Sequence, residues 1–190
     1  MQYSKVSDLP IIDEDDAIGK VAEIFAQVKQ EMQLPFIPNM LKGLAISPAA
    51  LAIHWDFTRS IYKHATLPES LISMILFTIA EKSNCQYCSA GNELTCRNLG
   101  IDEDTLSNLV QDFESVSPER IRRIIEFAVH VSHDPQTLHE VDYQRLREHG
   151  ITDDEIVEII MVAAIANYAD TLADAMKVDV DQVVSEALGR

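Results

Sequence analysis

Apolar residues recur at helical spacing through almost the whole chain, and no segment alternates with the period of two that a strand bounded by turns requires. In DAIGKVAEIFAQVKQEM, Val21, Ile24, Phe25 and Val28 fall at i, i+3, i+4 and i+7, the stripe of an amphipathic helix. The punctuation is helical too. Pro35 and Pro38 break QLPFIPN, and Ser47-Pro48 gives PAALAIHWDFTRSIYKH an N-cap followed by a first-turn proline. Leu67-Pro68 opens ESLISMILFTIAEKSN in a similar way, Ser117-Pro118 starts ERIRRIIEFAVHVSH, and Gly100 and Gly150 read as glycines just past helix ends. Thr152 and Glu155 form a T-x-x-E capping box for DDEIVEIIMVAAIANYADTLADAM. The expected fold class is all-α.

Two of these segments echo one another. LPESLISMILFTIAEKSN and ITDDEIVEIIMVAAIAN each run from a capped start through a mainly apolar helix to an asparagine, as two copies of a packed helical hairpin would. Both are apolar on more than one face, so part of that surface is expected to meet a second copy of the chain in a homo-oligomer. A length of 190 residues fits one domain, read as residues 17–190, with residues 1–16 as an N-terminal extension.

Charge narrows the partners. With 31 acidic residues against 15 lysines and arginines, the net charge is −16, which repels phosphate backbones and anionic lipid; neither nucleic acid nor membrane is expected. The first twenty residues have no apolar core of the kind a secretory signal needs, and the run IIMVAAIA is far short of the ~20 residues that span a bilayer. A cytoplasmic location is expected. There, a close pair of thiols is more often catalytic or metal-binding than a structural staple.

That pair is Cys85 and Cys88, in EKSNCQYCSAGNELTCRNLG, which holds all three cysteines. With Asn84 as the expected N-cap, both lie in the first turn of a helix and on nearly one face. Unpaired backbone N–H groups and the positive end of the helix dipole favour thiolate there, more so at Cys85. A thiolate can attack a peroxide or disulfide, and a neighbour three residues away can trap the product. No second C-x-x-C or H-x₃₋₅-H completes a four-ligand zinc site, and His54, His64, His130, His133, His139 and His149 are scattered, so neither metal nor cofactor is expected. Two inert core cysteines remain the competing reading. Cys96, about 12 Å beyond Cys88 along one helix, cannot bridge to it and reads as core packing.

The C-x-Y-C pattern behind a Leu-Pro-capped apolar helix resembles the AhpD-like superfamily, which includes the alkylhydroperoxidases and the carboxymuconolactone decarboxylase family. The flanking segments PFIPNMLKGLAISPAALAIHWDFTRSIY and DDEIVEIIMVAAIANYADTLADAMKV resemble its longer, peroxidase-related branch, and the likeness spans roughly residues 20 to 180. It implies a single-domain multi-helical bundle of two related halves, working as an oligomer. It also implies a peroxidase in which Cys88 is oxidised to sulfenic acid, Cys85 serves as proton donor and resolves it as a disulfide, and a thiol reductant restores the pair.

The resemblance fails at the proton relay. The family pattern has histidine where this chain has Asn92 and glutamate where it has Ser73. Neither replacement can exchange a proton near neutral pH, and such help is typically worth about 10²–10⁴-fold. Glu81 and Glu69 are the candidate substitutes, and Tyr87, Trp55 and His54 candidate pocket residues. Three functions follow. The first is a thiol-dependent antioxidant peroxidase acting on alkyl hydroperoxides or another small substrate. The others are a dithiol–disulfide exchanger or redox sensor without peroxidase turnover, and a non-catalytic helical oligomer. Lactone decarboxylation has only the family name behind it. The observations that bear most on the choice are the sulfur-to-sulfur distance and whatever ionisable group lies within about 4 Å of Cys88.

Overall fold

A computed structural model describes residues 7–190; residues 1–6 of the expected extension lie outside the described residues. Among the described residues all regular structure is helical, as expected. The amphipathic stripe forms α1 (Gly19–Met32), with Val21, Ile24, Phe25 and Val28 buried. α2 (Asn39–Leu44), a short helix the sequence reading did not anticipate, leads to α3 (Pro48–His64), where Ser47 accepts from the Ala50 N–H and Pro48 takes the first position. Then come α4 (Glu69–Ser83) and α5 (Gln86–Asn98), the cysteine helix. α6 (Glu103–Gln111), α7 (Glu119–His133) and α8 (Glu140–Glu148) follow. α9 (Asp153–Met176) carries the expected capping box, and a second unanticipated short helix, α10 (Gln182–Ala187), ends the order.

The two glycine stops are as expected. Past α5, the Gly100 N–H donates to Arg97 O and the Ile101 N–H to Cys96 O, with Gly100 at φ 83°. Past α8, the Gly150 and Ile151 N–H groups repeat the pattern onto Arg147 and Leu146, with Gly150 at φ 73°. These left-handed positions satisfy the last helical carbonyls at little cost in glycine.

α4 and α9, the two helices of the internal echo, pack against each other at the centre, flanked by α5 and α7. Their burial on several sides explains the apolar composition. α9 is, among the described residues, the one helix long and apolar enough to cross a bilayer, at a mean hydropathy of 1.6; here it packs along α4, α5 and α7. Its Glu158 ties the α3–α4 link, accepting from the Thr66 and Leu67 N–H groups at 2.9 and 3.0 Å.

The interior forms two apolar clusters. One joins α4, α6, α7 and α9 and holds Cys96; the other joins α1, α2 and α3 to the ends of α4 and α9 and holds Cys85 and Cys88. Cys96 is fully buried, and its thiol is pushed up to about 12 by burial and by Glu93, which fits core packing. Ahead of α1, Ser7 Oγ and the Asp8 N–H both donate to Met176 O, so the described part of the N-terminal segment lies against the end of α9.

Candidate functional site

The link between α4 and α5 is two residues long, and its geometry differs from the sequence expectation. Asn84 is not the N-cap of α5: it ends α4 in the left-handed conformation, φ 60°, and Cys85 takes the N-cap position. Asparagine suits both roles, which is why the local sequence did not discriminate between them. Cys85 makes no side-chain cap hydrogen bond; its Sγ instead stands 4.0 Å from the backbone oxygen of Asp170. Cys88 lies one turn on. Both cysteines are free thiols.

Facing them is a carboxylate that sequence reasoning did not select. Asp170, near the C-terminal end of α9, is 5% exposed, and its oxygen lies within 4.8 Å of both sulfurs, which are themselves that close. Ser83 Oγ donates to Asp170 Oδ2 at 2.5 Å and fixes its orientation. Burial pushes the Asp170 carboxyl above its ordinary 3.8, against hydrogen bonds from Ser83 and the two thiols. The Cys88 thiol is also held well above its usual range, first by its hydrogen bond with Cys85, then by burial and by the nearby Asp170 carboxylate. Asp170 is the carboxylate beside the two thiols. Among the described residues these three donors are the one cluster spaced to hold a metal ion, one short of a closed tetrahedral zinc site.

Cys88 opens onto an apolar cavity of about 340 Å³ between α3, α5 and α9. His54, Trp55, Tyr87 and Asn92 all line it with Cys88, so the structure brings these candidates together. Among the described residues no lysine or arginine lines it, and Asp170 and Asp181 are its only carboxylates. Ser73 and Glu81 are not brought to it. Ser73 is 1% exposed on α4 with its hydroxyl unpartnered, and Glu81 accepts from Ser89 on the other side of the α5 N-terminus. Glu69, at the start of α4, is exposed and about 20 Å along that helix from the thiols. Neither glutamate replaces the relay.

Access ranks the two thiols differently from the dipole. Cys88 is 8% exposed and lines the cavity, whereas Cys85 is fully buried. Tyr87 has a bracing role: its hydroxyl donates to Asp181 Oδ2 at 3.1 Å and accepts from the Met40 N–H at 3.2 Å, tying α5 to α2. Burial and Asp181 raise its phenol well above 10. Trp55 Nε1 donates to Gln27 Oε1 at 3.0 Å, which leaves its ring as wall.

His54 stacks on Tyr168 and has its Nδ1 3.3 Å from that hydroxyl. Burial pulls its pKa down to about 4, so the ring is neutral at pH 7. Its ring nitrogen NMR shifts should then stay constant from pH 8 down to about 5.5, where an ordinary histidine would be mostly protonated.

The unpartnered Ser73 hydroxyl carries a cost of about 1–3 kcal/mol. Ser73→Ala should therefore raise unfolding free energy by about 1 kcal/mol in urea titration and leave reaction rates unchanged.

Several solved structures align over nearly the full chain. A peroxidase-related protein of the alkylhydroperoxidase AhpD core from Ralstonia eutropha JMP134 has a TM-score of 0.85 at 19% identity, covering 95% of each chain. Another peroxidase-related protein, from Silicibacter sp. TM1040, has a TM-score of 0.85 at 20% identity, covering 97% of this chain and 96% of that one. The fold is AhpD-like. The debrominase Bmp8 shares this AhpD-like fold, with a TM-score of 0.78 at 17% identity over 100% of this chain and 98% of its own. A cysteine-to-alanine variant of Bmp8 is seen in complex with 2,3,4-tribromopyrrole. No protein-family model and no curated protein matches the sequence. The AhpD-like fold thus accompanies more than one chemistry, and the side chains of this chain must supply the functional argument.

Proposed function

We propose that this protein is a dithiol peroxidase of the cytoplasm that reduces apolar hydroperoxides, with Cys88 as nucleophile, Cys85 as resolving thiol and Asp170 as proton carrier. The observation that carries this reading is the buried cluster of two sulfurs and one carboxylate, within 4.8 Å of one another, at the wall of an apolar cavity. Asp170 takes the proton of the Cys88 thiol as sulfur attacks the outer peroxide oxygen, and the departing alkoxide is protonated to the alcohol. Cys88 becomes a sulfenic acid. Cys85 then attacks that sulfur, releasing water and forming the disulfide. The apolar lining, which holds no cation among the described residues, suits a neutral substrate better than a carboxylate or phosphate. No cofactor enters this cycle.

Titration of the reduced protein with cumene hydroperoxide tests the reading. One equivalent should yield one alcohol and a protein lighter by two hydrogens, with the bond mapped to Cys85–Cys88 by peptide mass spectrometry. Unchanged thiols after minutes at a tenfold excess of peroxide would overturn it.

The aromatic lining (Phe36, Trp55, Tyr62, Tyr87 and Tyr168 among it) supports a second reading with the same electron count. Cys88 would take bromine from an aryl bromide, the ring carbon would take a proton, and Cys85 would displace bromide. Release of bromide from 2,3,4-tribromopyrrole, alongside the peroxide assay, separates the two.

Self-association belongs to the same proposal. Val157 and Met161 on α9 are 64% and 53% exposed, and Ile53 and Phe57 are exposed on α3. Phe57 meets Tyr168 of α9 edge-on at 5.5 Å, which joins the two apolar faces. Light scattering should give a multiple of 21.3 kDa, reduced in Val157→Glu and Met161→Glu.

A further inference from the structure

C-x-x-C is a spacing at which a chain can offer two sulfur ligands to one metal ion, and the sequence has no second such pair. Folding adds a third donor. Asp170 of α9 brings a carboxylate oxygen to the two sulfurs, and the three atoms lie within 4.8 Å of one another. Donors around a tetrahedral zinc stand about 3.5–3.8 Å apart, given bonds of about 2.3 Å to sulfur and 2.0–2.2 Å to oxygen. The three atoms therefore need to draw in by at most about 1.3 Å.

The surroundings suit an ion as well. Ser83 Oγ donates to Asp170 Oδ2 at 2.5 Å, the kind of outer hydrogen bond that orients a ligating carboxylate. Cys85 is fully buried, and its Sγ is turned towards Asp170. Cys88 and Asp170 line the apolar cavity, where Asn92 and Asp181 are also among the lining residues. An ion arriving through that cavity meets Cys88 and Asp170 first, and Cys85 closes on it from behind.

We propose that reduced Cys85, Cys88 and Asp170 bind one thiophilic divalent cation such as zinc, with a fourth coordination position open to the cavity, and that closing the Cys85–Cys88 disulfide expels it. Two sulfurs and one oxygen suit zinc or cadmium, whereas calcium and magnesium are held by six or more oxygens. Three protein ligands with one open position is the arrangement of zinc sites that take up a water or a substrate. As the two sulfur–metal bonds form, the two thiol protons pass to solvent. Metal and disulfide exclude one another. A bound cation occupies the Cys88 electron pair that would attack an oxidant. Conversely, an oxidant such as diamide takes two electrons from the two thiolates, the S–S bond forms, and the dication leaves with its charge unchanged. None of this needs peroxide turnover, so the proposal stands apart from the peroxidase reading.

The test uses the reduced full-length chain, stripped of metal by a chelator. Cadmium should raise an ultraviolet sulfur-to-metal charge-transfer band that saturates at one equivalent per chain. One zinc per chain should survive gel filtration, counted by elemental mass spectrometry. Diamide should then release that zinc to a chromogenic chelator in step with the loss of thiols. A chain of net charge −16 attracts cations over its whole surface, so the variants carry the assignment. Cys85→Ser and Cys88→Ser should each weaken zinc binding by roughly 100-fold or more, and Asp170→Asn and Ser83→Ala by about 10–100-fold. Cys96→Ala, in the other apolar cluster, should bind as the parent does. The diamide-oxidised parent carries no substitution, so a variant that fails to fold leaves the test standing. Absence of the charge-transfer band, zinc retained after the disulfide closes, or an Asp170→Asn chain that binds as tightly as the parent would each overturn the proposal. A chain that binds zinc in this way yet ignores peroxide would sink the peroxidase reading alone.

Discussion

Cys88→Ser should abolish peroxide consumption, with a loss on the order of 10³-fold or more, whereas Cys85→Ser should still react once and stop. The asymmetry follows from access and chemistry together. Only Cys88 lines the apolar cavity beside Asp170, so only its sulfur can meet a substrate there with a base at hand. Without Cys85 the sulfenic acid has no resolving thiol, persists long enough for dimedone to label it, and proceeds to sulfinic acid under excess peroxide. Stopped-flow kinetics with mass detection of the dimedone adduct reads both variants. The reverse pattern, with labelling at Cys85 in Cys88→Ser and a dead Cys85→Ser, would mean that the end of the helix dipole outweighs access after all.

Asp170→Asn should lower the rate of Cys88 oxidation by about 10²–10³-fold while making the protein more stable near pH 8. Asparagine can still accept from Ser83 but cannot take the thiol proton, which Cys88 holds tightly. The gain in stability has a definite pH signature. Burial raises the Asp170 carboxyl, so the folded chain binds this proton more tightly than the unfolded chain does. Its contribution is fully present below the unfolded value, near 3.9, and is lost as pH rises through the raised folded value. The parent should therefore lose stability with rising pH over that window relative to the variant. Asp181 is raised by burial as well and contributes a slope of the same sign, but it remains in both proteins and cancels from the comparison. A rise of about 2–4 °C in melting temperature at pH 8, shrinking towards pH 4, is the expected result. A variant as fast as the parent would remove Asp170 from the chemistry.

The helices were legible where local rules act alone. The stripe of α1, the Ser47 cap, the capping box at Thr152 and the Gly100 and Gly150 stops depend on residues within a few positions of one another, and each formed as read. α2 and α10, at six residues each, are too short to display a period and were invisible for that reason.

The site was half legible. The dithiol announces itself by spacing, but its carboxylate lies 85 residues beyond Cys85, and no local pattern joins them. One signal was available. Ile159, Ala163, Ala166, Asp170 and Ala173 follow one another at steps of three and four, and all are buried, so Asp170 is an acid in the inward stripe of an otherwise apolar helix. A carboxylate there must find polar company, and in this fold the company is Ser83 and two thiols. Asn92 and Ser73 lack side chains that exchange a proton near neutral pH. It did not follow that the site lacked a carrier, since a different helix can fill the vacancy.

α4 and α9 each belong to both interior clusters: Ile75 and Ala80 of α4 sit in different ones, as do Ile159 and Ala173 of α9. Two rods that run through both halves make independent melting of either half expensive, because the end of a rod cannot loosen its neighbours while its middle stays clamped. Thiol chemistry and overall shape should accordingly vanish in a single cooperative step on heating, with no surviving half-molecule that keeps one and lacks the other.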